Sequence, residues 1–367
     1  MAMNAPSASG LDGIVVAETA LSDVDGERGR LVIRGYAVEE LVEKATFEDA
    51  CGLMWNGALP SSEEREALRV GLAQARRDAF ALLPSLGHAL NASDGMEALR
   101  AAIGHLPDTG DLREGSRRLT GAMSVFGAAW ARGRAGKSPV PPQPSLSHAA
   151  DYLHMLSGVR PEPPRVTALD AYLCCVVDHG MNASTFAARV VASTGSDLVS
   201  AIVAAICALK GPLHGGAPGP VLDMLDAVGE PARARSWLEG ELAARRRIMG
   251  MGHRMYRVRD PRAAALERAA TILERSAVPT DRLTMARAVE REAERLLAER
   301  YPQRSLRANV EFYTAVLLDA IGIPRTLFSP MFAASRVVGW CAHVDEQRKV
   351  GRLIRPGSTY VGPEAVA

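Results

Sequence analysis

Ser61-Ser62-Glu63-Glu64-Arg65-Glu66-Ala67-Leu68-Arg69-Val70-Gly71-Leu72-Ala73-Gln74-Ala75-Arg76-Arg77-Asp78-Ala79-Phe80 is the stretch on which the fold class turns. Ser61 followed three residues later by Glu64 is a capping box, in which each side chain satisfies a backbone N–H left open at a helix start. Strong helix formers then continue to Phe80. Upstream, Thr46 predicts the N-cap of a helix that runs to Gly57, and Pro60 prevents its continuation. Downstream, segments 232–248, 261–276 and 284–300 are rich in Ala, Arg, Leu and Glu and predict three more helices, with others near 146–156 and 168–177. Strand signal is confined to the start, where 14–20 and 29–34 flank Asp25-Gly26 and predict a small hairpin. The Pro- and Gly-rich segments 132–144 and 161–164 read as surface connections, because apolar helical patterning resumes on both sides. The expected class is all-α with a small N-terminal β hairpin.

The chain has 367 residues, with 43 basic and 42 acidic side chains, a net charge of +1 and 5% aromatics. Such a balance gives no field to hold nucleic acid or an anionic membrane surface, and little material for stacking bases. Residues 201–209 form the longest uninterrupted apolar run, about half of the roughly 18 residues a membrane helix needs. The first ten residues carry neither a basic flank nor an apolar run, so the expectation is a disordered lead-in and a cytoplasmic protein. Five cysteines without C-x-x-C spacing are expected to be reduced core residues.

Chemistry concentrates in a few segments. Gly211-Pro212-Leu213-His214-Gly215-Gly216 and Met249-Gly250-Met251-Gly252-His253-Arg254-Met255-Tyr256 each place a histidine beside glycines, where a ligand can approach the backbone and an imidazole can move a proton near neutral pH. Asn309-Val310-Glu311-Phe312-Tyr313 sets one carboxylate in an apolar run, a costly place for an unpaired charge unless it acts. His179, in Asp178-His179-Gly180-Met181-Asn182-Ala183-Ser184-Thr185, is either a capping histidine at a helix C-terminus or part of a polar pocket. Between 245 and 262 seven arginines face one acid, Asp260. Arginines 245–247 suit a solvated helix face, whereas Asp260-Pro261-Arg262 is a rigid turn that fixes one guanidinium for a carboxylate or phosphate. Arg336 is a lone cation in an apolar helix and needs an anionic partner, and Arg355 offers another cation near the end. His88, His105, His148, His154 and His343 lie in helical or turn contexts, where surface or satisfied core roles are expected, and are set aside. No H-x-x-x-H or H-E-x-x-H pair occurs, which argues against a metal site, and the absence of G-x-S-x-G argues against a serine hydrolase.

These segments, taken in order from Glu18-Thr19 and Arg34-Gly35-Tyr36 to Gly339-Trp340 and Arg355-Pro356, resemble the citrate synthase family over almost the whole chain. The resemblance implies a two-domain helical homodimer. A large domain, 1–214 and 320–367, would be interrupted by a small one, 215–319, with the active site in the cleft between them. It further implies a citrate (Si)-synthase-type acyltransferase of the tricarboxylic acid cycle, which condenses acetyl-CoA with oxaloacetate and water to give citrate and CoA, with no metal or other cofactor. By motif, His214 would serve the thioester carbonyl, His253 the oxaloacetate carbonyl, and Glu311 would be the base. His179, Arg262 and Arg336 would hold oxaloacetate, Arg355 would reach it from the partner subunit, and Arg257 is a candidate for the CoA phosphates. The alternatives are a 2-methylcitrate synthase using propionyl-CoA, or a weakly catalytic paralogue that binds CoA or dicarboxylates.

The chemistry implied by the resemblance is coherent. A thioester methyl is a very weak carbon acid, so a carboxylate removes its proton only if a donor stabilises the oxygen where charge develops. A neutral His214 is expected to be that donor, with its pKa lowered by a helix beginning after Gly215-Gly216. One departure stands out: better-known members carry Asp where this chain has Glu311.

Overall fold

The computed structural model describes residues 9–363 apart from 12, 215–217, 277, 279 and 280. The first eight residues of the expected lead-in, Gly215-Gly216 with the helix start expected there, and the domain boundary at that point all lie outside the described residues. Fifteen α-helices are described: α1 Val38–Lys44, α2 Phe47–Asn56, α3 Ser62–Ala81, α4 Gly95–Ile103, α5 Leu112–Arg134, α6 His148–Ser157, α7 Pro163–Val176, α8 Ala183–Ser193, α9 Leu198–Leu209, α10 Pro218–Val228, α11 Ala234–Ala243, α12 Pro261–Arg275, α13 Asp281–Arg300, α14 Val310–Ala320 and α15 Phe328–Val350. Both capping signals are realised. The Thr46 hydroxyl accepts the Asp49 N–H while the Asp49 carboxylate takes the Thr46 N–H, and Ser61 and Glu64 do the same for α3. Each cap is worth about 1 kcal/mol.

The hairpin exists but sits later than expected. β1 is Ser22–Asp25 and β2 is Arg30–Ile33, antiparallel with Asp25 opposite Arg30, and a third strand, β3 Tyr36–Ala37, pairs with β2. Residues 14–19 lie outside any strand, with Ile14 and Val15 exposed. Alternating apolar residues do not make a strand when no neighbour offers a ladder. Two further expectations are corrected. α11 stops at Ala243 and Arg245 has φ 57°, so arginines 245–247 follow the helix rather than forming its solvated face. Cys207 is exposed on α9, unlike the other four cysteines, which are buried and free.

α15 is the central helix, packed against α2, α4, α5, α7, α8 and α9. Gly339 makes this possible. A Cβ there would stand 2.4 Å from the Val177 carbonyl oxygen and 2.9 Å from Asp178 Oδ1, so only glycine lets the segment after α7 lie directly on α15. Helices α10, α11, α13 and α14 pack among themselves, and α12 joins α14 to α7 and α1. Among the described residues no helix is long and apolar enough to cross a membrane.

Candidate active site

Two segments distant in sequence are zipped together to build one side of the site. Met251 and Ala308 form an isolated antiparallel bridge. Around it Gly252 N–H donates to the Arg307 carbonyl at 2.7 Å, Asn309 N–H to the Gly250 carbonyl at 2.9 Å, and the Asn309 amide to the Gly252 carbonyl at 2.8 Å. Gly250 and Gly252 adopt φ 74° and 85°, which the bridge requires and which side chains resist. The glycines beside His253 thus shape a turn. Asn309 also caps α14, its side chain accepting the Glu311 N–H, so the loop of His253 and the helix of Glu311 share one anchor.

Asp260 completes that anchor. Buried at the N-cap of α12, it accepts the Arg262 backbone N–H, holds the Arg262 guanidinium at 3.0 and 2.8 Å, and accepts the Val310 N–H at 3.1 Å. Burial works against the Arg262 cation, and Asp260 more than offsets it, holding the group above its ordinary range. The loop is pinned from outside by Arg259, which pairs with Glu290 at 2.7 Å and Glu267 at 2.8 Å.

Neighbouring groups fix the protonation of His253 and His214. The Met255 and Tyr256 N–H groups both donate to His253 Nδ1, at 3.0 and 3.3 Å, so the neutral ring carries its proton on Nε2. That nitrogen stands 3.4 Å from Arg262 Nη2. Two donors facing each other are an acceptor site for something else, such as a ligand oxygen. In the same way, His214 Nε2 meets the Ser184 backbone N–H at 3.3 Å and the Ser184 hydroxyl at 2.9 Å, and a ring that accepts from the backbone N–H there carries its proton on Nδ1. Ser184 is in the first turn of α8, capped by Asn182, and its hydroxyl accepts the Trp340 indole N–H at 3.1 Å. The start of α8 is thus in direct contact with His214. Burial first, then Arg336, pushes the His214 imidazole down to about 4, and burial with Arg262 does the same for His253. Both rings are neutral at working pH.

His179 is buried, and its pKa is held well below the ordinary range by burial, then by Arg262, His253, Arg336 and His214. It is not a helix cap, for α7 ends at Val176 and the ring turns inward to lie 5.6 Å from the His253 ring. Arg336 is fully buried. Its Nε donates to the Val176 carbonyl at 2.7 Å and its guanidinium lies 4.6 Å from the Phe332 ring centroid, but Nη2 has no hydrogen-bond partner. Burial lowers its pKa to about 10, and Asp178 limits the fall. Opposing these cations is Glu311, whose Oε2 is covered and likewise without a partner. Burial raises its carboxyl to about 7, with Arg262 opposing and Asp260 adding to the rise.

Of the residues singled out from sequence, His179 thus lies within electrostatic reach of His214, His253, Arg262 and Arg336, and Arg262 in turn within reach of Glu311. Arg257 and Arg355 are not gathered with them. Arg257 is exposed 3.9 Å from Glu27 of the hairpin turn, and Arg355 is exposed in the extended segment beyond α15. His343, unremarkable in sequence, is completely buried and donates from Nε2 to Asp178 at 3.1 Å while its Nδ1 accepts from Arg189. Its acidic neighbour comes from another element, and spacing along the chain carries no sign of it. Ser184, Trp340 and Asp260 belong to the same motifs, but their roles depend on contacts between distant elements.

Fixed N–H donors and arginines on one side, and a covered carboxylate poised near neutrality on the other, define an enzyme of acid–base chemistry that works on an anionic substrate. Residues 10–357 match the family described as citrate synthase, C-terminal domain. The chain is 39% identical to the citrate synthase of Haloferax volcanii, over 96% of this chain and 95% of that one. It is 37% identical to the 2-methylcitrate synthase of Mycobacterium tuberculosis, over 97% and 90%. The citrate synthase of Thermoplasma acidophilum, solved as a ternary complex with carboxymethyl coenzyme A and oxaloacetate, superposes with a TM-score of 0.85 at 27% identity, over 98% of this chain and 97% of that one. The chain belongs to the citrate synthase family.

Proposed function

We propose that this enzyme condenses acetyl-CoA with oxaloacetate and water to give citrate and CoA. The observation that carries the reading is the Glu311 carboxylate, covered and unpartnered at Oε2 and raised to about 7 by burial against the opposing pull of Arg262. A base of that strength takes a proton from the acetyl methyl only if the thioester oxygen is stabilised as charge develops, and His214 Nδ1–H is the donor for that oxygen. The resulting enol attacks the oxaloacetate ketone carbon while His253 Nε2–H donates to its oxygen, and water then cleaves the citryl thioester to release CoA. Oxaloacetate, a dianion, is held by Arg262, Arg336 and His179. The open Nη2 of Arg336 supports that role, because a buried guanidinium left short of an acceptor is completed by a carboxylate.

The reading carries with it two lobes, 1–214 with 320–367 and 215–319, that close on oxaloacetate, and a homodimer in which Arg355 serves the neighbouring subunit and Arg257 the CoA phosphates. Steady-state thiol release with oxaloacetate and either acetyl-CoA or propionyl-CoA is the test. A preference for acetyl-CoA is expected. One methylene is worth about 1–3 kcal/mol in an acyl pocket, so a reversed preference would make the enzyme a 2-methylcitrate synthase. No thiol release from either thioester overturns the reading.

A further inference from the structure

Tyr256 took no part in the sequence reading beyond its place in a motif, yet its side chain is 1% exposed and sits at the centre of the site. Its ring lies 4.8 Å from the His253 ring and 5.8 Å from the Arg262 guanidinium, and its hydroxyl meets His179 Nε2 at 3.1 Å. That is the only hydrogen bond of the hydroxyl among the described residues. The contact crosses the site, since His179 follows α7 while Tyr256 belongs to the loop that carries His253.

We propose that Tyr256 is a positioning residue that fixes His179 in the tautomer protonated on Nδ1, so that Nδ1–H is the donor offered to a substrate carboxylate. The direction of the hydrogen bond follows from burial. If the phenol donates, its one proton is satisfied. If it accepted instead, that proton would be left in a covered place with no acceptor, which disfavours the arrangement by a factor of ten or more. Burial also pushes the phenol pKa up, so Tyr256 keeps its proton at every working pH. With Nε2 occupied as an acceptor, the neutral imidazole must hold its proton on Nδ1. His179 then matches His214 and His253, each with one ring nitrogen filled by a fixed donor and the other left as N–H. The three imidazoles and two guanidiniums then all offer donors, which suits a dianion and not a cation.

The loop that carries Tyr256 is itself braced. The Arg257 N–H donates to the Gly26 carbonyl at 2.9 Å, and the Met255 carbonyl lies so close to Gly26 that a Cβ there would come within 2.0 Å of its oxygen. At the other end of the strand, the Ser22 hydroxyl donates to Asp178, next to His179, at 2.5 Å. The β1–β2 hairpin thus sets the spacing between the two partners of the Tyr256–His179 hydrogen bond.

This inference rests on the oxaloacetate reading, and the test separates the two. The 15N side-chain spectrum of the free wild-type protein, with His179→Gln used for assignment, is expected to show His179 protonated on Nδ1 and bare on Nε2. The reverse tautomer overturns the proposal whatever the substrate. Tyr256→Phe keeps the ring and removes the hydroxyl, and should weaken oxaloacetate binding by calorimetry roughly three- to tenfold, the scale of one hydrogen bond, with kcat at saturation changed far less. A structural role predicts instead a lower unfolding midpoint with oxaloacetate affinity unchanged, and that outcome also overturns the proposal. A wild-type enzyme that releases no thiol sinks the citrate synthase reading, while the spectrum still decides the tautomer.

Discussion

Replacing Glu311 with Gln removes the charge and keeps the shape, and the site's geometry makes the change act on turnover and stability in opposite directions. The carboxyl is moved from its ordinary 4.5 to about 7, chiefly by burial, and each pH unit of such a displacement is about 1.36 kcal/mol. The folded protein takes up this proton at a higher pH than the unfolded chain, so stability falls as pH rises from 4.5 to 7. Above 7 the ionised carboxylate costs the fold about 3 kcal/mol. Glu311→Gln abolishes that cost, less what the amide loses by burial. Urea unfolding should therefore show the variant more stable than wild type at pH 8, with the gain shrinking towards zero near pH 4.5. Turnover should fall by at least about a hundredfold, as when a general base is lost, while oxaloacetate affinity is kept. In wild type, kcat/KM for acetyl-CoA should climb with pH through about 7 and then level, because His214 and His253, lowered to about 4, are already neutral there. Glu311→Asp is the sharper variant. Asn309 and Asp260 both tie the first turn of α14, so the backbone cannot advance to make up a missing methylene, and a retreat of about 1 Å costs on the order of a hundredfold in rate. Full turnover in the Gln variant, or a stability difference that does not grow with pH, would refute the assignment of this carboxylate as the base.

Gly26→Ala should disturb the active site from outside it. The added Cβ would meet the Met255 carbonyl at 2.0 Å, so the His253 loop must shift, with about 1–3 kcal/mol lost in unfolding experiments and a larger relative loss in kcat/KM. Gly133→Ala in α5, where a Cβ meets nothing within 4 Å, is the silent control. For the shared site, Arg355→Ala and Arg262→Ala should each be nearly inactive alone yet recover part of the activity when refolded together, since one of two sites in a mixed dimer is then whole. Absence of recovery in a mixture verified by mass spectrometry would count against an Arg355 that crosses between subunits.

The extent of the helices was legible because their ends are written locally. Thr46 with Asp49, Ser61 with Glu64, and Gly57 each act within a turn, and α2 and α3 begin where these residues say. The first strand was misplaced for the opposite reason. Whether 14–19 or Ser22–Asp25 pairs with Arg30–Ile33 depends on which segment the rest of the fold holds against it, and here Ser22 is anchored to Asp178 and Ala20 to Glu346. Arginines 245–247 have the composition of a helix, but Arg245 turns left-handed once α11 has ended.

The kinds of chemistry present were legible along the chain: imidazoles next to glycine, a carboxylate in an apolar run, and arginines set in rigid or apolar surroundings. Those are properties of residue type and immediate neighbours. Only the tertiary structure decided what state each group is in. The proton of His214 is placed by Ser184 at the start of α8, that of His253 by its own loop once Met251 has bridged to Ala308, and the covering of Glu311 Oε2 and the open Nη2 of Arg336 come from helices far apart in the chain. Desolvation and Coulomb interaction sum over every neighbour within a few ångströms, whatever its position in the chain. A carboxyl raised to about 7 and imidazoles lowered to about 4 are therefore properties of the folded chain.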